Sequence, residues 1–207
     1  MTVKGARRAG AAWTRTDRLI AAALFAGAVL SRIPFRTGLF YAWDSVLYTR
    51  ALGDFDITID QPHPPGHIFY VGLVKAVNAF IGDPNAAMVW ISILAGAAAT
   101  VALYALGFRM FGRAVGLAAA LLLATSLSFW AYSEVAYPYT LLAFLSTAIA
   151  GLIYRAWEGE SRFVLPAALA LGLASGFRQD LLAFMLPLFI MGFYREPLVR
   201  RLGSVAL

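Results

Sequence analysis

The sequence predicts an all-α, polytopic membrane protein with about six transmembrane helices and an outer juxtamembrane helical loop. The first observation is composition: of 207 residues, 61% are hydrophobic and 14% are charged, whereas soluble domains are roughly half apolar and a quarter charged. The second is a series of apolar segments near the roughly 20 residues that a helix needs to cross a bilayer. The third is that basic residues lie at the ends of these segments. Despite the net charge of +6, this placement indicates membrane orientation rather than a nucleic-acid partner.

The first element is an apolar run from Leu19 to Leu30, which follows a basic tail at residues 1–18. No small-residue cleavage site follows the run, so the pattern favours an uncleaved first span over a signal peptide. Thr16 or Asp17 is the predicted N-cap of this helix. The basic tail is expected on the cytoplasmic side of the membrane.

Further apolar segments follow with no internal repeat and no linker, which predicts a single transmembrane domain over residues 19–194. Two helix starts are predicted, one with Asp83 as N-cap before Pro84 and one at Pro138. A basic end at residues 195–207 is expected on the cytoplasmic side. The segments are Gly66–Phe80, Asn85–Gly107, Ala114–Tyr132, Pro138–Tyr154, Phe163–Phe177 and Leu181–Tyr194.

The segment from Gly66 to Phe80 decides the predicted topology, because it is short and contains Lys75. If it crossed the membrane, the basic loops after it would lie outside and Lys75 would lie in lipid. If it lies along the outer surface, most of the 17 Lys and Arg residues fall on the cytoplasmic side, as the positive-inside rule favours. We therefore predict an outer loop at 34–83 whose juxtamembrane helix lets Lys75 reach water.

In this topology the ionisable residues gather on the outer side, and charges at membrane depth tend to mark function. Asp44 lies within the aromatic-rich segment Tyr41–Tyr48, where it is either a helix N-cap or a carboxylate suited to accept a proton. Glu134 follows the third span, and Arg178 and Asp180 follow the fifth. Taken singly, Glu134 is better explained as an interfacial side chain or a cap of the helix that starts at Pro138, and Arg178 as an interfacial anchor.

Two patterns in the outer loop raise the question of a metal. Asp54 and Asp56 form an Asp-x-Asp pattern, which is either a metal or nucleotide motif or part of a solvated loop. His63 and His67 flank a double proline, which excludes a helical metal pair. They form either a metal site of another geometry or a rigid turn that presents His63 to an anionic group. A divalent cation is therefore one expectation for this loop.

Several motifs occur in an order that resembles the multi-spanning membrane glycosyltransferases of the GT-C fold. Within that group the chain is most similar to the DUF2723 family and to the protein O-mannosyltransferase and aminoarabinose-transferase branches. One departure is the missing second acid of the first motif, since Val46 and Leu47 follow Ser45. The motifs are Trp43-Asp44-Ser45, His63-Pro64-Pro65-Gly66-His67, a basic loop from Phe108 to Arg113, Ser128 to Tyr137 with Glu134, and Gly172 to Asp180.

The resemblance implies sugar transfer from a polyprenyl-phosphate carrier to a glycan, lipid or protein acceptor. The active site would lie on the outer face of the cytoplasmic (inner) membrane. Asp44 would be the general base, Glu134 would orient the acceptor or share the catalytic site, and Arg178, His63 or a divalent cation would stabilise the leaving phosphate. The other residues predicted to bind substrate are Trp43, His67, Tyr137 and Asp180.

The chain is shorter than such enzymes generally are and resembles their membrane-embedded N-terminal module. Its end is therefore expected to be either a true terminus or a truncation. Two alternative functions fit the same composition. One is a transporter or flippase for a lipid-linked substrate, although transporter sites tend to lie near the bilayer midplane. The other is a non-catalytic subunit that keeps the fold.

Overall fold

The computed structural model describes residues 12–193, and within this range every regular element is helical, as predicted. Most of the predicted cytoplasmic segments, 1–18 and 195–207, lies outside the described residues. Short 3-10 turns occur at Ile33–Phe35, Ile57–Ile59 and Ser161–Phe163. The α-helices of the described part are α1 (Arg15–Arg32), α2 (Trp43–Arg50), α3 (Ile68–Ile81), α4 (Pro84–Phe111), α5 (Arg113–Thr125), α6 (Leu127–Tyr132), α7 (Tyr139–Trp157), α8 (Val164–Phe177) and α9 (Asp180–Phe193).

Three helices between residues 12 and 193 are long and apolar enough to cross a bilayer. They are α1 with its 3-10 extension, α4 and α7. In contrast, α5, α8 and α9 are apolar but have 13, 14 and 14 residues. At about 1.5 Å per residue they reach roughly 20 Å, less than the hydrocarbon thickness of about 30 Å. Helix length therefore supports three spans, and the predicted count of six is not confirmed.

α1 begins earlier than predicted. Its N-cap is Thr14 rather than Thr16 or Asp17, and Thr14 forms a capping box with Asp17. The fully buried Asp17 side chain accepts hydrogen bonds from the Tyr104 hydroxyl at 2.9 Å and from Arg113 Nε at 2.7 Å. A buried carboxylate is costly unless it is paired. These contacts compensate for that cost and tie α1 to both α4 and α5.

α4 is the central helix of the described bundle and packs against α1, α3, α5 and α7. As predicted, Asp83 is its N-cap, accepting a hydrogen bond from the backbone N–H of Ala86 at 3.1 Å, and Pro84 is in its first turn. Near its other end the backbones of α4 and α5 touch. A Cβ atom on Gly116 would lie 2.6 Å from the backbone nitrogen of Phe108. Only glycine allows the two helices to approach this closely.

α7, α8 and α9 form a second apolar cluster. Ile149 and Ile153 of α7 are buried against Leu171 of α8 and Met185 of α9. Pro138 directly precedes α7 and is its N-cap, which agrees with the predicted helix start. A short turn then joins α8 to α9, so the last residue of one helix and the first of the next lie close together.

The connection from α1 to α3 folds over the ends of several helices. The buried Ser45 of α2 donates its hydroxyl to the Ala136 carbonyl at 2.6 Å, which fixes α2 to the segment before α7. α3 packs against α4 and α8, where the Phe69 ring lies over Gly176. Lys75 is exposed on α3. The predicted loop at 34–83 therefore contains two helices, and its place at the membrane surface stays a prediction.

One end of the bundle, which we call the basic end, is held by ion pairs. Its arginines are Arg109, Arg113, Arg155 and Arg162. Glu160 accepts hydrogen bonds from Arg109, from Arg155 at 3.0 Å and from Arg162 at 2.9 Å. The bond from Arg155 is the largest effect on this carboxyl, and together these arginines lower the pKa of Glu160 to about 2 against the opposing effect of burial. The loop between α7 and α8 is thereby fixed to the end of α4.

Candidate active site

A cavity of about 410 Å³ lies at the end of the bundle where α7 and α9 begin and α8 ends. Three stretches of the chain meet there: the outer loop, the segment before α7 and the turn between α8 and α9. The lining residues are Asp44, Tyr48, His63, Pro64, Pro65, His67, Tyr137, Pro138, Tyr139, Arg178, Gln179 and Asp180. Six of the eight predicted catalytic and substrate-binding residues are among them. The exceptions are Trp43 and Glu134.

The Asp44 carboxylate is held in place by a residue distant in sequence. Tyr137 donates its hydroxyl proton to Asp44 Oδ2 at 2.6 Å. Burial is the largest effect on this phenol and, with the bond to Asp44, raises the pKa of Tyr137. The phenol therefore stays protonated and acts as a donor. The other carboxylate oxygen, Oδ1, lies 3.9 Å from His63 Nδ1, which is too long for a hydrogen bond.

The two histidines pack around Tyr48, which is 2% exposed. The ring centroid of Tyr48 lies 6.0 Å from that of His63 and 5.5 Å from that of His67, and the two imidazole centroids are 5.1 Å apart. His67 has a left-handed backbone (φ 44°) at the start of α3. Its Nδ1 lies 3.0 Å from the carbonyl oxygen of Phe177 at the end of α8. The turn therefore holds both imidazoles at the cavity.

Arg178 supplies the positive charge of the cavity. Its Nε forms an ion pair with Asp180 Oδ2 at 2.9 Å, and its guanidinium carbon lies 5.8 Å from the centroid of the Tyr139 ring. Burial acts to lower the pKa of Arg178, but the Asp180 charge and the bonding to Tyr139 outweigh it, so the pKa lies above its ordinary value. The side chain is 36% exposed. Arg178 is therefore a permanent cation with an accessible face.

The rings of Tyr137 and Tyr139 form one wall of the cavity. Their centroids are 4.5 Å apart, and Tyr132, outside the lining, packs edge-on against Tyr139 at 4.9 Å. Such rings present flat apolar faces beside polar hydroxyl groups. This wall combines a surface for a ring-shaped substrate with hydrogen-bonding groups.

Glu134 does not line the cavity, contrary to our prediction that it shares the site with Asp44. Its carboxyl group lies near Trp130 and Arg32, and its buried Oε1 has no hydrogen-bond partner among the described residues. Arg32 is 3% exposed and stacks on the Trp130 ring at 4.3 Å. Burial is the largest effect on Glu134 and raises its pKa. Glu134 therefore lies beside Trp130 and Arg32 instead of at the cavity, and the raised pKa shows that burial outweighs the attraction of the arginine.

Trp43 also lies outside the cavity lining. Its side chain is 69% exposed. Asp44 and Tyr48 are four residues apart in α2 and share the helix face that lines the cavity, whereas Trp43 is one position away from Asp44 and lies on another face. The predicted contact of Trp43 with substrate therefore has no support from its position.

The predicted metal pair, Asp54 and Asp56, is also outside the cavity lining. The Asp56 carboxylate caps a short turn, accepting hydrogen bonds from the backbone N–H and hydroxyl of Thr58 at 2.8 and 2.6 Å. These bonds, the hydroxyl first, lower the pKa of Asp56. Among residues 12–193, no three His, Asp or Glu side chains are arranged to hold a metal ion. The arrangement therefore does not fit a cation site, and the need for a divalent cation stays a prediction.

Sequence analysis did not single out Tyr48 or Tyr139 as site residues. A signal for both was present in the sequence. Tyr48 follows Asp44 by one helical turn, and Tyr139 opens the helix that follows Tyr137. A residue one helical turn away from a suspected catalytic acid was therefore a candidate for the same site.

Comparison with known proteins gives one match. A family model described as dolichyl-phosphate-mannose-protein mannosyltransferase matches residues 62–204, which is more than half of the chain. The matched range contains both histidines, Tyr137 and Arg178, and it begins after Asp44. No curated protein and no solved structure matches the chain.

Proposed function

Because this chain belongs to the dolichyl-phosphate-mannose-protein mannosyltransferase family, we propose that it transfers a sugar from a polyprenyl-phosphate carrier to an acceptor on the outer face of the membrane. Family membership makes the chain a membrane glycosyltransferase of the GT-C type. The donor, the acceptor face and the catalytic base are our proposals. The observation that carries them is the cavity in which Asp44 and Arg178 meet.

Asp44 is the proposed general base. The acceptor hydroxyl attacks the anomeric carbon of the sugar, and its proton passes to the Asp44 carboxylate. The bond between the anomeric carbon and the phosphate oxygen breaks in the same step, so the configuration inverts and no covalent enzyme intermediate forms. Tyr137 engages one carboxylate oxygen and leaves the other with no hydrogen bond among the described residues. A base needs such an oxygen within reach of the proton it accepts.

Arg178 is the proposed partner of the leaving polyprenyl phosphate. Negative charge grows on the phosphate as the sugar departs, and a nearby guanidinium stabilises it. Asp180 orients Arg178 through Nε, so the terminal nitrogens remain for phosphate oxygens. His63, 33% exposed and close to Asp44, is placed to donate a hydrogen bond to the same phosphate.

We propose six spans with this cavity on the outer side of the inner membrane. Helices α5 and α6 together cover residues 113–132, interrupted at Ser126, and at about 1.5 Å per residue they match the hydrocarbon thickness of about 30 Å. The basic end then faces the cytoplasm, as the positive-inside rule favours. α3 lies at the outer surface with Lys75 exposed to water.

The decisive assay uses the purified full chain in lipid nanodiscs with radiolabelled polyprenyl-phosphate mannose and a panel of peptide, glycan and lipid acceptors. We expect label to move to one acceptor class. We expect Asp44→Asn to reduce turnover at least about a hundredfold, because a general base contributes about that much. Asp54→Asn is the matched control, since it removes an exposed acid of the same loop that lies outside the cavity. Near-normal turnover in Asp44→Asn would exclude Asp44 as the base.

The two alternative functions give different results in the same system. A flippase would move intact polyprenyl-phosphate mannose between the leaflets of a vesicle without breaking the sugar–phosphate bond. A non-catalytic subunit would do neither. Adding a chelator to the transfer assay tests the predicted divalent cation.

A further inference from the structure

One nitrogen of the His67 imidazole is held by a contact with the backbone, and the rest of the ring faces the cavity. The residue is 7% exposed and lines the cavity. Its Nδ1 lies 3.0 Å from the Phe177 carbonyl oxygen. This contact joins the start of α3 to the end of α8. The Tyr48 ring meets the imidazole nearly at right angles, 83° between the planes. The ring orientation is therefore fixed from two sides.

The contact with Phe177 determines which nitrogen carries the proton. A carbonyl oxygen only accepts hydrogen bonds, so Nδ1 must be the donor. In a neutral imidazole the other nitrogen then keeps its lone pair. Burial, the largest effect, lowers the pKa of His67, and the charges of His63 and Arg178 act in the same direction. The ring is therefore neutral at pH 7, with Nε2 as an acceptor.

Nε2 of His67 has no hydrogen-bond partner among residues 12–193. Nδ1 of His63 also has no hydrogen-bond partner, but that atom is buried. Nε2 of His67 is not among the buried atoms that lack a partner. The His67 ring lies at the cavity wall, where a bound molecule can meet this lone pair. A phosphate group cannot be that partner, because its oxygens are acceptors at neutral pH. A hydroxyl group can, since it donates.

We propose that His67 Nε2 accepts a hydrogen bond from a carbohydrate hydroxyl bound in the cavity, so that His67 is a specificity-determining residue. The inference rests on the proposed glycosyltransferase function, because it takes the cavity as the sugar site. The hydroxyl belongs either to the donor sugar or to a sugar acceptor. Both sources offer the same chemistry, and the arms of the experiment separate them.

The experiment is NMR of the full chain in nanodiscs with ¹⁵N-labelled histidine. The chain contains two histidines, so a His63→Gln variant assigns both imidazoles. We expect His67 to be neutral with its proton on Nδ1. We also expect polyprenyl-phosphate mannose, and not polyprenyl phosphate alone, to shift the Nε2 resonance in the direction of an accepted hydrogen bond. An acceptor glycan added alone tests the second source.

Several outcomes would overturn the inference. They are a proton on Nε2 in the free protein, an Nε2 resonance that no sugar shifts, or an equal shift with polyprenyl phosphate alone. The NMR measures binding without turnover. A chain that shows the shift but transfers no sugar keeps this inference and loses the proposed function. A chain that transfers sugar without the shift loses only the inference.

Two substitutions separate the roles of the ring nitrogens. In His67→Asn the amide nitrogen replaces Nδ1 and the left-handed backbone is well tolerated, so the bond to Phe177 remains while the Nε2 acceptor is lost. We expect the KM for the sugar-bearing substrate to rise about tenfold, as for one lost hydrogen bond, with unchanged melting temperature. In His67→Gln the side-chain oxygen replaces Nε2 and the bond to Phe177 is lost, so we expect a lower melting temperature with a KM nearer that of the wild type. A purely structural role predicts a normal KM in His67→Asn, where the bond to Phe177 remains.

Monodeoxy analogues identify the hydroxyl. The wild-type chain should discriminate against the analogue that lacks the contacted hydroxyl by about tenfold, the effect of one unmade hydrogen bond. The His67→Asn variant should no longer discriminate against that analogue. If the variant discriminates against every analogue as the wild type does, His67 does not contact a hydroxyl.

Discussion

At the residue scale, Asp44 and Tyr137 form the best-defined contact of the cavity. The phenol donates to one carboxylate oxygen at 2.6 Å. This hydrogen bond limits rotation of the carboxylate, so the second oxygen keeps one direction. Tyr137 is therefore a positioning residue for the proposed base.

Tyr137→Phe tests this role. We expect kcat to fall roughly tenfold to a hundredfold, the usual effect of losing a hydrogen bond to a charged group. The fall should appear in kcat more than in the KM for the donor, because Tyr137 holds the base. Tyr132→Phe is the control, since Tyr132 belongs to the same tyrosine cluster and lies outside the cavity lining. An equal kcat in Tyr137→Phe and in the control would show that the contact does not support the base.

Glu134, unlike Asp44, makes its contacts away from the cavity. Its backbone carbonyl accepts a hydrogen bond from the Thr37 N–H at 3.0 Å, and its side chain lies near Arg32. Both contacts join the segment before α7 to the end of α1. Glu134 therefore supports the segment that carries Tyr137 without lining the cavity itself.

At the element scale, small residues decide how closely the helices pack. A Cβ atom on Gly116 would lie 2.7 Å from the Tyr104 carbonyl oxygen in addition to its contact with Phe108. Both are backbone atoms of α4, which cannot move without moving the helix. Asp17 and Arg113 join α1 to the same region. The α4–α5 pair is therefore held by close backbone contact, and Asp17 ties α1 to both helices through Tyr104 and Arg113.

Gly116→Ala should separate α4 from α5. We expect the free energy of unfolding to fall by about 1–3 kcal/mol, the usual cost of overpacking, measured as a lower melting temperature in detergent. Gly151→Ala in α7 is the matched control, because nothing lies within 4 Å of its new Cβ. Alanine is also the better helix former, so the control should melt at the same or a higher temperature. Equal melting temperatures for both variants would contradict the packing argument.

At the scale of the whole molecule, the two ends of the bundle differ in chemistry. The cavity end carries the aspartates, histidines and tyrosines of the candidate site. The basic end carries an arginine–glutamate network centred on Glu160. Positive charge on one side of a membrane protein favours the cytoplasm. This asymmetry supports the proposed outer position of the cavity.

Cysteine labelling tests the orientation, because the chain has no cysteine of its own. Asp54→Cys, in an exposed part of the outer loop, should react with a membrane-impermeant maleimide on intact cells. Arg162→Cys should react only after the membrane is opened, since this side chain lies at the basic end and is 74% exposed. Arg155 and Arg109 still pair with Glu160 in that variant. Labelling of Arg162→Cys from outside would reject the topology.

The sequence by itself determined the class of the protein and the main helix starts. Apolar runs and basic flanks are local properties, so they predicted an all-helical membrane protein without knowledge of any contact. The starts at Asp83 and Pro138 followed for the same reason, because a cap acts within one turn of its helix. The N-cap of α1 was misplaced by a few residues, since Thr14, Thr16 and Asp17 are all good caps.

Only the tertiary structure decided which polar residues share a site. Asp44, Tyr137 and Arg178 come from three distant stretches, and their order in sequence does not encode the side to which each points. Glu134 was expected beside Asp44 but lies beside the buried Arg32, and no local sequence pattern marks that placement. Asp44 faces the cavity because Tyr137 holds it there. Local patterns therefore predicted the helices, whereas long-range pairing of charges and hydrogen bonds assembled the site.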